Sequence, residues 1–339
     1  MTVCFTSFSL AYLSRARILA RSLRRVHPDW PIHALLVDAA PDHGLEDFDT
    51  VVTAEQLGIP RFRSWMFKHD LVEGCTAVKG AMLRHLLAQG AERVIYLDPD
   101  IAVFAGLHGM EDASIVLTPH QLAPNTTAQA IGDNEMTAFR YGVYNLGFLA
   151  IRNDASGCAF ADWWAGMLHS ACYDDIERGM FTDQKYCDIV PALFDGVHIW
   201  RDPGCNVASW NLSRRTLAFD TEGVCRVDGS PLKFYHFTKI GGVGDTMTRR
   251  YAAGNIEVLE VWAWYKRQLG PEARPIPWRY ATFADGTPIP RAARLLYRAR
   301  PDLAAAFDDP YASGENTLQD WLRVRGHLSC ETPPAPAAR

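Results

Sequence analysis

The stretch Val94-Ile95-Tyr96-Leu97-Asp98-Pro99-Asp100 decides the fold, because a short apolar run ends in two carboxylates that are one residue apart. Such a run is typical of a buried strand in a parallel sheet. Side chains two residues apart on an extended strand point the same way, so we expect Asp98 and Asp100 to converge. Two buried like charges need a compensating cation, and a hard divalent metal with a phosphate on its far side supplies one. The stretch therefore predicts a diphosphate site at the carboxyl end of a strand; the alternative is an Asp-Pro turn after an ordinary strand.

The composition is typical of a globular enzyme with room for one large α/β domain. The chain has 339 residues, of which 48% are hydrophobic and 22% charged, and its formal net charge is −5. This charge argues against a dedicated nucleic-acid binder. Eight scattered cysteines without a Cys-x-x-Cys pair indicate reduced core residues rather than a zinc site or a disulfide framework. The first residues lack a basic leader, and no run of about eighteen apolar residues occurs, so we predict a cytoplasmic protein.

Strand and helix signals alternate along the first half of the chain, which predicts a parallel, doubly wound sheet. The predicted strands are residues 3–8, 32–37, 51–53, 94–97, 115–118, 143–151 and 232–237. The predicted helices are residues 12–26, 71–88, 159–171, 182–193, 256–269 and 318–324. Residues 119–141 have no clean period, and we interpret them as a loop near the site. Residues 331–339 are rich in Pro and Ala, which predicts disorder.

Two more side chains can contribute to a charged site. Lys79 falls on the apolar stripe of the predicted helix 71–88, where an inward-facing lysine needs an anionic partner. The alternative is a side chain that reaches past the stripe to water. His236 shares a strand face with Leu232 and Phe234, and an imidazole can complete a carboxylate-based Mn²⁺ site. A core histidine without a ligand is the alternative at that position.

An ordered set of motifs resembles that of the GT-A glycosyltransferases, and within them the retaining enzymes like glycosyltransferase family 8. The matching segments are Asp98-Pro99-Asp100, Asn145-Leu146-Gly147, Asp183-Gln184 and His236-Phe237. Their order and spacing agree over roughly residues 1–245. Those enzymes usually continue with His-Phe-x-Gly and Lys-Pro-Trp, whereas this chain has Thr238-Lys239 after the His-Phe pair. Either Lys239 supplies the phosphate-neutralising charge instead, or the loop closes differently.

The resemblance implies a GT-A type, doubly wound, mixed and mainly parallel sheet flanked by helices, in a nucleotide-sugar glycosyltransferase domain at residues 1–245. The change of composition after about residue 244 predicts a C-terminal helical extension at 246–330, followed by the tail at 331–339. The resemblance also implies transfer of a sugar from a nucleotide-sugar donor to a hydroxyl acceptor, with retention of the anomeric configuration. The acceptor is a glycan, or a lipid-linked glycan if the C-terminal part attaches to a membrane. A UDP-sugar is the default donor, because the resembling enzymes mostly use one.

The resemblance assigns roles to the charged residues. It implies that Asp98, Asp100 and His236 hold Mn²⁺ or Mg²⁺ against the donor diphosphate. It implies that Lys79 meets the phosphate or the donor sugar, and that Asn145 lies near that sugar. A strand-end Asn that caps its own backbone is the alternative for Asn145.

The Asp183-Gln184 pair is the implied catalytic pair, beneath the sugar ring and facing the anomeric carbon. Front-face attack or a covalent intermediate through Asp183 are both compatible with retention. The alternative for Asp183 is an acidic group at a helix start, where the helix dipole stabilises it.

Several polar residues are candidates for the two substrates. Ser7 and Asp38 end the first two predicted strands and can touch the nucleoside, although capping of the next elements is an equal alternative. The loop with Asn206, Trp210 and Asn211 suits an acceptor sugar, which stacks on aromatic rings and is held by amides. An ordinary loop with one Trp packed on the core is the alternative.

The sequence leaves other functions open. An inverting enzyme needs a carboxylate base, for which Asp183 and Asp202 are available. An Asp-x-Asp phosphatase and a non-catalytic nucleotide-sugar-binding module are further alternatives. The basic and apolar segment 291–300 is compatible with peripheral membrane association, or with a helix packed on its own domain.

Overall fold

The computed structural model describes residues 1–252, 254–270 and 276–328. Its strands are β1 (Thr2–Phe8), β2 (Ile32–Leu36), β3 (Thr50–Thr53), β4 (Arg93–Leu97), β5 (Ile101–Val103), β6 (Ile115–Pro119), β7 (Tyr144–Arg152), β8 (Asp174–Asp175), β9 (Met180–Phe181), β10 (Val197–Ile199), β11 (Val207–Ala208), β12 (Leu217–Phe219), β13 (Cys225–Val227), β14 (Ser230–Pro231) and β15 (Phe234–His236). Its α-helices are α1 (Leu13–Val26), α2 (Phe62–Met66), α3 (Leu71–Ala77), α4 (Lys79–Ala88), α5 (Ala128–Ala130), α6 (Met136–Tyr141), α7 (Ala155–Ala171), α8 (Val190–Leu193), α9 (Val243–Tyr251), α10 (Ile256–Leu269), α11 (Arg291–Ala299), α12 (Pro301–Ala306) and α13 (Leu318–Val324).

A seven-stranded sheet with the order β10-β6-β7-β4-β1-β2-β3 forms the centre of the fold. Strands β4, β1, β2 and β3 run parallel to one another, whereas β7 runs antiparallel to both β4 and β6. The amino end of β7 therefore meets the carboxyl end of β4 at one edge of the sheet. The predicted doubly wound, mixed and mainly parallel sheet is confirmed.

Both faces of this sheet are buried, because successive side chains of each strand point to opposite sides. Val94 and Tyr96 of β4 join the cluster that contains residues of α4 and α7, whereas Ile95 and Leu97 join the cluster that contains residues of α1. A continuous apolar run with helices on both faces is the arrangement expected of parallel strands.

A small sheet with the order β11-β15-β5 extends the chain beyond the carboxyl end of β4. β5 follows the Asp98–Asp100 turn directly and pairs antiparallel with β15, so that His236 lies opposite Ile101. Helix α10 supports β15 from behind, because the Trp262 indole donates to the Tyr235 hydroxyl at 2.8 Å. This pairing brings His236 to the two carboxylates.

Three element predictions need correction. The predicted helix 71–88 is two helices, α3 and α4, although the expected Asp70–Glu73 capping box is present. Residues 182–184 form a turn, and helical structure starts only at Lys185, with Pro191 tolerated in the first turn of α8. The stretch 119–141 is not a plain loop, because it contains α5, a π-helical turn at Ile131–Glu135 and α6.

The C-terminal helices pack on the rest of the chain. Arg294 of α11 is 4% exposed and donates to the carbonyls of Phe67 and His69. Arg298 pairs with the buried Glu73 at 2.7 Å. These contacts favour the second interpretation of segment 291–300, a helix packed on its own domain. The boundary near residue 245 stays a prediction, and the tail at 331–339 lies outside the described residues.

Within the part of the chain that the structure describes, no helix combines the length and the apolar character needed to cross a bilayer.

Helices α4 and α7 touch at Gly80, and this contact positions the neighbouring Lys79. A Cβ on Gly80 would lie 2.6 Å from the Ala165 Cα, a backbone atom that cannot yield without moving α7. We therefore expect Gly80→Ala to destabilise the fold by about 1–3 kcal/mol, as overpacking does. The matched control is Gly166→Ala on α7, where an added Cβ meets no described atom within 4 Å and where about 0.5–1 kcal/mol of stabilisation is expected. Equilibrium urea unfolding measures both; equal midpoints for wild type and Gly80→Ala would contradict the contact.

Candidate functional site

A cavity of about 800 Å³ opens at the edge of the sheet where β1 and β4 end and β7 begins. Its lining comes from the segments after these strand ends, from the turn before Lys185, and from the segment after β15. In open α/β sheets, ligands bind at this edge, outside the carboxyl ends of the strands. The predicted residues that line it are Ser7, Lys79, Asp98, Asp100, Asn145, Asp183, Gln184, Trp210, His236 and Lys239.

Asp98 and Asp100 converge through a tight turn. β4 ends at Leu97, the Asp98 amide donates to the Gly147 carbonyl at 2.8 Å, and the Ile101 amide donates back to the Asp98 carbonyl at 3.0 Å. The convergence is therefore as predicted, but the extended-strand reason for it is corrected. The Phe237 amide donates to the Asp100 carbonyl at 2.8 Å, which fixes β15 beside this turn.

The two carboxylates and His236 form one cluster. The Nε2 atom of His236 lies 3.0 Å from Asp100 Oδ1 and 3.6 Å from Asp98 Oδ2. Burial disfavours the imidazolium, but the charges of Asp100 and Asp98 outweigh it and raise the pKa of His236. The negative charge of the two carboxylates therefore favours a positive charge beside them.

Asn145 fixes the orientation of the His236 ring. Its Oδ1 accepts from the Gly147 amide and faces His236 Nδ1, both at 3.2 Å. The bond from the Gly147 amide identifies this atom as the oxygen, and an amide oxygen can only accept. The proton of its contact with His236 must therefore be on Nδ1, and Nε2 faces the carboxylates. A metal-binding histidine is held in this manner by an acceptor on its other ring nitrogen.

The geometry of this cluster fits a divalent metal ion. One ligand atom each of Asp98, Asp100 and His236 lies within 4.8 Å of the others. Carboxylate oxygens with an imidazole nitrogen suit Mn²⁺, and carboxylates suit Mg²⁺. Gly147 leaves the space in which the imidazole sits, because a Cβ there would lie 2.6 Å from His236 Cε1.

Lys79 stands at the start of α4 with its ammonium group between two carboxylates. It is 3% exposed, and Nζ lies 2.7 Å from Asp183 Oδ2 and 3.2 Å from Asp98 Oδ1. Burial alone would favour a neutral amine, yet Asp183 and Asp98 reverse this and raise the pKa of Lys79. Nζ also lies 4.0 Å from the centre of the Tyr96 ring, whose hydroxyl donates to Asp98. Lys79 is therefore a charged, buried lysine, as its position on the apolar stripe predicted.

The charges of the site do not balance when His236 is neutral. Three carboxylates, Asp98, Asp100 and Asp183, face the single ammonium of Lys79. The remaining formal charge is about −2, which matches one divalent cation. Asp98 is the carboxylate that joins the Lys79 pair to the His236 cluster.

Gln184 and Asn145 tie the turn after β9 to β7. Gln184 Oε1 accepts from the Leu146 amide at 3.2 Å and from Asn145 Nδ2 at 3.3 Å, and its Nε2 donates to the Tyr141 carbonyl. The amide group of Gln184 is thus occupied by protein partners. These contacts hold Asp183, the preceding residue along the chain, in place against Lys79.

The predicted nucleoside contacts differ in their placement. Ser7 lines the cavity, although its hydroxyl donates to the Cys75 carbonyl at 2.7 Å. Asp38 does not line it among the described residues, because its carboxylate accepts from the amides of Leu10 and Arg279. Its contacts correct the nucleoside interpretation in favour of capping.

The three residues of the predicted acceptor loop also differ in their placement. Trp210 lines the cavity, with its ring centre 5.2 Å from that of His236. Asn206 and Asn211 are fully buried, and the Asn211 side chain donates to the Asn206 carbonyl and accepts from the Ala208 amide. Neither belongs to the described lining, which corrects the acceptor interpretation: they hold the loop together and so position Trp210.

Lys239 lines the cavity three residues after His236. Its side chain is exposed, and its backbone is left-handed with φ at 51°. Gly244 closes the turn beneath it, since a Cβ there would collide with the Thr238 carbonyl. A cation is therefore available on this side of the cavity, and its role at a phosphate stays a prediction.

Sequence reasoning missed many of the lining residues, among them Tyr12, His120, Gln121 and Asn134. His120 and Gln121 directly follow β6 at the same sheet edge, a positional signal that could have identified them. Burial lowers the pKa of His120 to about 4, so this imidazole is neutral near pH 7. Asn134 lies in the π-helical turn, for which the sequence carries no periodic signal.

The comparisons with known proteins gave relatives and similar structures, but no family model matches the chain. Two proteins of Bacillus subtilis (strain 168), the uncharacterized proteins YfnF and YfnD, are 28% and 25% identical to it over 244 and 245 residues. Each match covers 69% of this chain, with 80% of YfnF and 76% of YfnD.

Several solved glycosyltransferase structures are similar to the chain. The galactosyltransferase LgtC, in complex with donor and acceptor sugar analogs, is 16% identical with a TM-score of 0.37, over 78% of this chain and 100% of that one. Mouse xyloside xylosyltransferase 1, in its apo form, is 14% identical with a TM-score of 0.43, over 70% of this chain and 98% of that one. The mixed, mainly parallel sheet expected from the motifs is present, and the carboxylate pair follows β4.

Removal of one carboxylate tests the metal cluster. We expect Asp100→Asn to raise the Kd for Mn²⁺ about 100-fold or more, because loss of a ligand costs at least as much as loss of a group behind it. The control is Asp112→Asn, which changes an exposed carboxylate outside the described cavity lining. Electron paramagnetic resonance of free Mn²⁺ gives both constants. Equal affinities in the two variants would contradict the cluster.

The orienting role of Asn145 has a separate consequence. Asn145→Leu removes the acceptor of the Nδ1 proton, so we expect the Kd for Mn²⁺ to rise about 10–100-fold. Asn145→Asp keeps an acceptor oxygen and adds a negative charge, so it should bind Mn²⁺ at least as tightly as wild type. The same Mn²⁺ titration measures both variants. An unchanged Kd in Asn145→Leu would show that metal binding by His236 does not depend on this hydrogen bond.

Proposed function

We propose that the chain is a metal-dependent glycosyltransferase that moves a sugar from a nucleotide-sugar donor to a hydroxyl acceptor. One observation carries this proposal: Asp98, Asp100 and His236 converge at the floor of a cavity, with Lys79 and Asp183 immediately beside them. Such a cavity combines a divalent metal site with a buried ammonium group, which suits a diphosphate leaving group.

The main energetic problem of the reaction is the negative charge that develops on the leaving nucleoside diphosphate. The chemistry that a bound Mn²⁺ or Mg²⁺ supplies is neutralisation of this charge. Asp98, Asp100 and His236 would hold that ion. Lys79 contributes a fixed positive charge that its two carboxylates already stabilise, so that little reorganisation accompanies the reaction.

Asp183 is the proposed catalytic carboxylate on the donor-sugar side. It is 3% exposed, its Oδ2 faces Lys79, and Thr182, which precedes it, has left-handed backbone with φ at 44°. We propose retention of configuration, by front-face attack or by a covalent intermediate on Asp183. Gln184 then acts by holding this turn, since its amide atoms are bonded to β7 and to Tyr141.

The two substrates are proposed to contact different lining residues of the cavity. Ser7 and Tyr12 suit the nucleoside, with UDP as the default, and Lys239 suits the diphosphate. Trp210 suits the acceptor, because an indole ring offers a sugar a flat apolar face. The acceptor class, glycan or lipid-linked, is the finer part of the proposal.

Donor cleavage tests the function. With Mn²⁺ present, we expect slow hydrolysis of one sugar nucleotide from a set of UDP-glucose, UDP-galactose, GDP-mannose and CMP-sialic acid, and a loss of cleavage after chelation. Lys79→Met should lower kcat about 10²–10³-fold, because a preorganised charge on the leaving group is lost. Lys79→Arg should recover most of it. The control Lys68→Met, at a half-buried lysine outside the described cavity lining, should behave as wild type.

Circular dichroism of Lys79→Met separates loss of activity from loss of folding. Wild-type cleavage by Lys79→Met would remove Lys79 from the mechanism. Absence of cleavage of every donor, with Mn²⁺ bound, would favour the non-catalytic module. Proton NMR of the released sugar gives its anomeric configuration, and an inverted product would overturn the proposal of retention.

A further inference from the structure

Large apolar side chains are exposed beside the mouth of the cavity. We call them the rim patch: Met136 (57% exposed), Phe139 (70%), Val143 (42%), Ile189 (53%) and Leu193 (53%). A single exposed apolar side chain needs no explanation, whereas several in one place mark a binding surface. The rim patch includes the most exposed phenylalanine of the described chain.

The rim patch comes from two separate segments that lie side by side. Met136 and Phe139 are three residues apart on α6 and are therefore neighbours, as are Ile189 and Leu193, four residues apart in the second segment. Lys185 joins the segments, because its Nζ donates to the Phe139 carbonyl at 2.8 Å. Asp188 joins them a second time, because it accepts from the Val143 amide at 2.7 Å.

The same two segments form one wall of the cavity. Ala138 and Tyr141 of α6 line it, as does Gln184, which directly precedes Lys185. The Tyr141 ring packs against Phe181, another lining residue, at 4.6 Å between ring centres. Helix α6 thus carries exposed rim-patch residues, Met136 and Phe139, as well as the lining residues Ala138 and Tyr141.

Charge around the rim patch does not oppose an apolar occupant. Lys185 and Asp188 lie within it but pair with each other at 2.8 Å. Arg140, which is exposed, adds a positive charge beside Phe139. A molecule that extends out of the cavity across this rim therefore meets methyl groups and an aromatic ring.

Because the rim patch lies on the same segments that wall the cavity, we infer that it binds the apolar chain of the acceptor, so that the acceptor is a glycolipid-type molecule whose hydroxyl enters the cavity while its chain lies on α6 and the Ile189–Leu193 segment. The inference rests on the proposed function and selects the lipid-linked class of acceptor. Tyr141 and Phe181, which pack against each other in the lining, lie on the side of the cavity that carries the rim patch.

Pairs of glycosides that differ only in their aglycone test the inference. Octyl and methyl β-D-glucoside, and the corresponding galactosides, are titrated below their micelle concentrations into the full chain with Mn²⁺ and UDP. Each methylene removed from water strengthens binding about fourfold, so we expect the octyl member to bind at least about tenfold more tightly than the methyl member. Transfer from the cleaved donor, followed by mass spectrometry, should show the same preference in kcat/KM.

Two variants and one control locate the effect. Phe139→Ser and Ile189→Ser should each lower the octyl preference at least about threefold, because each removes apolar surface from the rim patch. Val324→Ser on α13 should keep the preference, although Val324 is 77% exposed. No octyl preference, or a preference that survives in both rim variants, would overturn the inference. If none of these sugars accepts transfer, the binding preference and its loss in the variants decide alone.

The remaining outcomes distinguish failure of the acceptor assignment from failure of the proposed function. Absence of cleavage of every donor would remove the proposed function, whatever the glycosides do. Efficient cleavage with no octyl preference would remove the inference alone. Sedimentation velocity tests the rival occupant, a second copy of the chain: a wild-type dimer that Phe139→Ser converts to monomer would overturn the acceptor assignment.

Discussion

The arrangement of the site depends on an excess of negative charge, because three carboxylates lie close together at the carboxyl end of β4. Asp98 stands at the centre of it, with Lys79 on one side and His236 on the other, and with Asp183 and Asp100 beyond them. Buried charges persist only when partners compensate them, and here the protein supplies one permanent cation for three carboxylates. A divalent ion bound at this site would supply the missing positive charge.

The fold gathers these charges by bringing distant segments to one sheet edge. β7 runs against its neighbours, so its Asn145–Gly147 end faces the turn after β4, and β5 draws β15 and His236 to the same turn. Close approaches at Gly80 and Gly147 set the positions of Lys79 and of the imidazole. The helix contacts and the small sheet therefore hold charged atoms close together that would otherwise repel one another.

Sequence reasoning identified the charged centre because its residues break strong patterns. The carboxylates end an apolar run, Lys79 interrupts an apolar stripe, and both signals depend on periodicity. Sequence reasoning failed at positions where the sequence has no periodic pattern. Buried amides such as Asn206 resemble lining amides in a sequence, since only tertiary contacts distinguish them, and the π-helical turn that carries Asn134 has no repeat to detect. The prediction of extended strand at Asp98 was wrong for a related reason. The apolar run predicts which residues are buried, but it does not predict the backbone conformation that follows.

The central claim is that Asp98, Asp100 and His236 together hold an ion that anchors a diphosphate. Crystals of the chain grown with Mn²⁺ and UDP, with diffraction recorded near the manganese absorption edge, test it most directly. The account predicts one anomalous peak bonded to all three side chains and to diphosphate oxygens. An anomalous peak elsewhere, or UDP bound while these side chains contact no ion, would contradict it.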